Sequence, residues 1–131
     1  LRNIMNYGHT FGHAIETMTS FKIDHGIAVV FGMYIANKVS FCLYKSKIDP
    51  MQKIIRRFIN ECNQEKQILI NSFDIDEYMS ALKKDKKNLK KGEISCILPT
   101  EHGKIFKKSI CSVELRNVIE SNFKKWVSNV N

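Results

Sequence analysis

The apolar run GIAVVFGMYIA occupies residues 26–36 of the chain. Helices at a protein surface carry one polar face, whereas this run is apolar on every side. It therefore predicts a helix buried at the centre of a domain. His25 stands at the beginning of that helix, and residues 21–25 form a short link before it.

A helix is also predicted before this run, over Ile4–Thr19. Its apolar residues recur at the spacing of one helical face, although Gly8 and Gly12 lower its helix propensity. Two glycines four residues apart indicate close packing or a nearby ligand.

Amphipathic patterns predict three more helices after the central one. The first covers residues 50–64, because Asp49 is a good N-cap and Pro50 suits the first helical position. The second opens at Asp74, with Glu77 three residues later in the pattern of a capping box. The third closes the chain and carries one apolar stripe, formed by Leu115, Val118, Ile119, Phe123, Trp126, Val127 and Val130.

Two short strands are predicted between the last two helices, over residues 93–98 and 104–110. The five-residue link between them contains glycine, which is typical of a hairpin. The fold class is therefore mainly α with a small β-hairpin. Residues 1–131 are expected to form one domain, because the sequence contains no linker long enough to divide them.

The composition is that of a globular protein, with 131 residues, 44% hydrophobic and 26% charged, and it excludes a disordered or fibrous chain. The four cysteines lie far apart and are expected to be buried apolar residues of a protein in a reducing compartment. No uninterrupted apolar run reaches the roughly 18 residues of a membrane-spanning helix, so we expect a cytoplasmic protein without a membrane partner. Because Leu1 is not methionine, we expect a piece of a longer chain.

The net charge of +8 favours anionic partners, such as nucleic acid, an acidic lipid surface or a phosphorylated small molecule. Six of the nine residues 83–91 are lysine, and no aromatic residue lies among them. Proteins that bind single-stranded nucleic acid usually add stacking rings to such a run. A solvated helix end is therefore the favoured interpretation, although one or two of these lysines could reach a phosphate.

Three of the four histidines lie within 17 residues. His9 and His13 are one helical turn apart and could share a ligand, and His25 could fold back beside them. Neutral imidazole suits zinc, and protonated imidazole suits phosphate or proton transfer. Arg2 and Asn6 would lie along the same side of the helix start and favour an anion. A pair of structural histidines is the alternative.

Several motifs together resemble one known family, the C-terminal domain of dehydroquinate synthase and its sugar phosphate cyclase relatives. The resemblance implies the helical C-terminal domain of that fold. It spans nearly the whole chain and is carried by Asn6-Tyr7-Gly8-His9-Thr10-Phe11-Gly12-His13-Ala14-Ile15-Glu16, His25-Gly26, Ala28-Val29, Gly32-Met33, Asp85-Lys86-Lys87, Ile97-Leu98-Pro99 and Gly103-Lys104.

The resemblance implies a carbon-oxygen lyase of the shikimate pathway that uses zinc or cobalt and NAD. Such an enzyme converts 3-deoxy-arabino-heptulosonate 7-phosphate, a sugar acid phosphate, to 3-dehydroquinate with elimination of phosphate. It also implies an N-terminal NAD-binding half upstream of this chain and a homodimer when the enzyme is intact. The isolated piece is therefore expected to be inactive.

The resemblance also assigns roles to the histidines. His9 and His25 match the two histidine ligands of the metal, and the third ligand of the family is a glutamate upstream of this chain. His13 matches a residue on the phosphate side of the substrate that binds it and handles a proton.

Arg2 matches the family's arginine near the substrate carboxylate, and Asn6 matches its asparagine on the phosphate side. Lys86 or Lys87 matches the lysine that reaches the phosphate. Ile27 departs from the family, in which a glutamate usually follows the His-Gly pair. This departure leaves two alternatives open, a related cyclase with another substrate and a degenerate paralogue. The basic charge leaves a third alternative, a module that binds nucleic acid without catalysis.

Overall fold

The computed structural model describes residues 7–45, 51–84, 92–99 and 105–130. These residues form a mainly α fold with one two-stranded antiparallel sheet, which confirms the predicted fold class. In chain order the elements are α1 (His9–Met18), α2 (His25–Tyr44), α3 (Met51–Glu61), α4 (Asn63–Ser72), α5 (Ile75–Lys84), β1 (Glu93–Pro99), β2 (Ile105–Cys111) and α6 (Ser112–Ser128).

Helix α2 lies at the centre of the molecule, as its apolar sequence predicts. It packs on α1, α3, β1 and α6, and seven of its side chains are completely or almost completely buried. Tyr34 is one of them, and its hydroxyl donates a hydrogen bond of 2.7 Å to the backbone oxygen of Trp126 in α6. The central helix is therefore joined to the last one by packing and by a buried hydrogen bond.

By length and composition alone, α2 is the one helix among the described residues that could cross a membrane. This is weak evidence for a span, since the core helix of a soluble protein meets the same criteria. The neighbours of α2 on several sides account for its apolar sequence.

Helices α1 and α2 approach each other through glycines. A Cβ atom added to Gly32 would lie 2.0 Å from the backbone oxygen of Gly8 and 2.6 Å from the backbone nitrogen of Gly12. Only hydrogen atoms fit in this space, so the spacing of Gly8 and Gly12 reflects close helix packing. Within the described residues, α1 begins at His9, with Tyr7 and Gly8 in a turn before it, and the predicted helix start at Ile4 lies outside them.

The predicted helix 50–64 is confirmed from Met51 to Glu61 and is wrong beyond Glu61, while its predicted cap, Asp49 and Pro50, lies outside the described residues. Helix α3 ends at Glu61, where Cys62 leaves the helical backbone with φ −93° and ψ 59°, and α4 follows at once. The apolar residues of α4 are the consecutive Ile68, Leu69 and Ile70, which cannot form a stripe along one helical face. The amphipathic pattern therefore predicted α3 and missed α4.

The hairpin was predicted to within one residue at its strand ends. Strands β1 and β2 pair in register from Glu93 with Cys111 to Pro99 with Ile105, and residues 100–104 of the link lie outside the described residues. Both faces of β1 are largely covered, and the Ser40 hydroxyl of α2 donates a hydrogen bond of 2.8 Å to the Pro99 oxygen. This cover explains why the strand lacks the alternating pattern of a half-exposed sheet.

The expectation of buried cysteines holds for Cys96 alone. Cys62 is half-buried, whereas Cys42 in α2 and Cys111 at the end of β2 are exposed. All four are free thiols. The lysine-rich run begins at the exposed end of α5 with Lys83 and Lys84, as predicted for a solvated helix end, and continues outside the described residues.

Candidate metal centre

Three histidines meet where α1 and α2 begin. The ring centroids of His9 and His13 are 5.5 Å apart, those of His9 and His25 are 5.6 Å apart, and those of His13 and His25 are 5.8 Å apart. One nitrogen from each ring can be chosen so that the three lie within 4.8 Å of one another. His9 is half-buried, and the other two are exposed. The predicted return of His25 to the helical pair is therefore observed.

The chain reversal after α1 brings His25 to this place. Ser20 and Phe21 adopt left-handed backbone angles, with φ of 54° and 59°, and the Phe21 amide donates a hydrogen bond of 2.8 Å to the Glu16 oxygen. Left-handed backbone costs a non-glycine residue roughly 1–2 kcal/mol, and backbone hydrogen bonds from Ser20 and Phe21 to the end of α1 offset this cost. The reversal allows α2 to begin beside the first two turns of α1.

A carboxylate supports the histidine cluster from within the protein. Glu16 Oε1 lies 3.1 Å from His25 Nδ1. The Glu16 side chain is only 11% exposed, whereas the His25 side chain is 57% exposed. Sequence reasoning assigned no role to Glu16, although residues 9, 13 and 16 recur at the spacing of one helical face and could have indicated it.

The three imidazoles have the donor chemistry of a zinc or cobalt site. Histidine nitrogens bind zinc at about 2.0–2.1 Å, and two of them in a tetrahedral site lie roughly 3.4 Å apart. The three donor nitrogens lie within 4.8 Å of one another, about 1.4 Å above that value, so the rings would have to move closer together to bind one ion. The residues present therefore fit a metal of this class.

The other predicted site residues lie outside the described part of the chain: Arg2, Asn6, Lys86 and Lys87. Their roles stay predictions. Ile27, the departure from the family pattern, is half-buried near the start of α2 and packs against the hydrophobic core. This contact accounts for an apolar residue at position 27.

Comparison with known proteins gives a consistent result. Residues 1–88 match the family model described as 3-dehydroquinate synthase C-terminal. The 3-dehydroquinate synthase of Rippkaea orientalis is 38% identical over 118 residues, which cover 88% of this chain and 31% of that protein. The enzyme of the same name from Dictyoglomus thermophilum is 36% identical over 126 residues, covering 92% of this chain and 32% of that protein.

A similar protein from Thermococcus kodakarensis, also named 3-dehydroquinate synthase, is 29% identical and is matched by 92% of this chain. The chain spans about a third of the length of these relatives. The family model includes the whole histidine cluster and both helices that form it. The chain therefore belongs to the 3-dehydroquinate synthase family.

Proposed function

We propose that this chain forms the C-terminal metal- and substrate-binding part of an enzyme that makes 3-dehydroquinate. Its substrate would be 3-deoxy-arabino-heptulosonate 7-phosphate, from which phosphate is eliminated. The convergence of His9, His13 and His25 within the segment matched by the family model is the observation that carries the proposal.

In this proposal His9 and His25 hold the metal, together with a third ligand outside this chain. A bound zinc or cobalt ion would polarise the oxygen atoms of the substrate and hold its pose, while NAD on the N-terminal half would supply redox chemistry. The two histidines would orient this centre from the first residues of α1 and α2, which are fixed against each other by the glycine contact.

His13 has a different proposed role, on the phosphate side of the substrate. Its exposed imidazole stands one turn after His9 and could donate a hydrogen bond to a phosphate oxygen or move a proton there. Arg2 would bind the substrate carboxylate, while Asn6 and one of Lys86 and Lys87 would bind the phosphate. The net charge of +8 supports the binding of such an anion.

Metal content and turnover of the full-length protein test this division of roles. We expect His9→Ala and His25→Ala to lose zinc and phosphate release, and His13→Ala to keep zinc and lose phosphate release. His102→Ala is the matched control, because His102 lies outside the motif, and it should keep both. Zinc retained by both His9→Ala and His25→Ala would contradict the proposed centre, and zinc lost from His13→Ala would reassign that residue to the metal.

A second candidate is a related cyclase that acts on another sugar phosphate. It is favoured by Ile27, which provides no polar group where the family usually has a glutamate. Phosphate release measured with several sugar phosphates would separate the two candidates. Faster turnover of a different substrate would favour the second.

A further inference from the structure

We propose that Glu16 positions His25 for metal binding. This role rests on the metal centre proposed above. It adds a residue that contacts His25, a ligand of the metal, and does not contact the metal itself. The carboxylate accepts a hydrogen bond from His25 Nδ1, at 3.1 Å, and so selects the tautomer that carries its proton on that nitrogen. The lone pair of Nε2 is then free to bind a cation.

The location of Glu16 agrees with an indirect role. Among the described residues, the group of donor atoms close enough to share one ion contains the three histidines and omits Glu16. The carboxylate approaches the His25 ring from α1, on the stripe that also carries His9 and His13. It therefore contacts a ligand from within the protein, as the outer carboxylates of many zinc sites do.

The burial of Glu16 also requires a partner. A carboxylate on a side chain that is 11% exposed loses most of its hydration, which is unfavourable unless hydrogen bonds or opposite charges replace the water. The backbone of Glu16 is fixed, since its carbonyl oxygen accepts hydrogen bonds from the Phe21 amide at 2.8 Å and the Thr19 hydroxyl at 3.3 Å. A fixed backbone and a buried side chain give the carboxylate the rigidity that a positioning residue needs.

Zinc affinity of the full-length protein, measured by competition with a chromophoric chelator, provides the first test. We expect Glu16→Ala to weaken zinc binding about 10- to 100-fold, and Glu16→Gln to weaken it less, since the amide oxygen can still accept the hydrogen bond. Glu61→Gln is the control, because Glu61 is exposed on α3. Its zinc affinity should equal that of the unmodified protein.

The second test needs no metal. Nitrogen-15 NMR of the metal-free protein near pH ~8, where imidazoles are usually neutral, reports the tautomer of His25. We expect a proton on Nδ1 in the unmodified protein and in Glu16→Gln, and a shift towards the Nε2 tautomer in Glu16→Ala. Because Glu16→Gln keeps the size of the side chain, it preserves the test if Glu16→Ala fails to fold.

The two proposals fail in different ways. Unchanged zinc affinity in both Glu16 variants, together with loss of zinc from His25→Ala, would overturn the role of Glu16 and leave the metal centre intact. A predominant Nε2 tautomer in the unmodified protein would also overturn the role of Glu16. Absence of zinc binding by the unmodified protein would overturn the centre and, with it, the role of Glu16.

Discussion

Replacing Gly32 with alanine should separate helices α1 and α2. The new Cβ would lie 2.0 Å from the Gly8 oxygen and 2.9 Å from the Gly12 Cα, and both neighbours are backbone atoms. The Gly8 oxygen also accepts the hydrogen bond of the Gly12 amide, at 2.9 Å, so it cannot turn aside without breaking the first turn of α1. The clash must therefore move one whole helix.

The required movement follows from the contact distance. Ordinary van der Waals contact begins at 3.4 Å, so the Gly8 oxygen must retreat by about 1.4 Å. Overpacking of a core contact lowers the free energy of unfolding by about 1–3 kcal/mol, and a backbone contact belongs at the upper end of this range. The same movement separates His9 and His13 from His25, whose donor nitrogens already span up to 4.8 Å, about 1.4 Å more than in a closed zinc site. We therefore expect zinc affinity to fall as well.

Gly26→Ala provides the matched control on the same helix. A Cβ at Gly26 meets no atom within 4 Å, so this substitution removes a helical glycine without a clash. We expect it to raise the free energy of unfolding by up to about 1 kcal/mol. Urea denaturation of both variants measures the difference. Equal stability of Gly32→Ala and the unmodified protein would refute the inferred helix contact, as would equal destabilisation by the two substitutions.

Three further substitutions test single features of the fold. Tyr34→Phe should make the free energy of unfolding less dependent on pH in the alkaline range. Burial raises the pKa of Tyr34 to about 12, against an ordinary value of about 10. The neutral phenol therefore stabilises the fold below pH ~10, and this contribution is lost as the pH rises towards 12. Melting temperatures over that pH range check it. Asp74→Ala should lower the free energy of unfolding by about 1 kcal/mol in urea titrations, since Asp74 Oδ1 accepts the hydrogen bond of the Glu77 amide at 3.1 Å. Lys45→Gly should raise the free energy of unfolding by about 0.5–1 kcal/mol, because Lys45 ends α2 with a left-handed φ of 56°, which glycine adopts more easily. The melting temperature should rise accordingly.

The parts of the fold that the sequence predicted are those that depend on local patterns. The uniform apolar run gave the central helix, and the Asp74–Glu77 capping box placed the start of α5 within one residue. The break at Cys62 has no such pattern, since neither glycine nor proline marks it. Helix α4 carries few buried side chains, and its apolar residues are consecutive, so hydrophobic periodicity could not predict it.

The candidate site depends on tertiary structure to a greater degree. The spacing of His9 and His13 places them on one helical face, but the approach of His25 depends on a turn in which Ser20 and Phe21 adopt left-handed backbone without glycine. No propensity predicts that conformation at these residue types. The resemblance to the family anticipated the convergence, whereas spacing left it open.

The glycines that pack α1 against α2 and the histidines of the proposed metal centre lie on neighbouring stripes of these two helices. On α2, His25 and Gly32 are seven residues apart, which places them on one face about 10 Å from each other. On α1 and in the turn before it, Gly8 and Gly12 precede His9 and His13 by one residue each, so the packing positions and the donor positions share the same four-residue period. One contact therefore sets both the helix separation and the distances between imidazoles. For this reason zinc affinity and stability should change together at Gly32, whereas at Glu16 zinc affinity should change through the orientation of one ring.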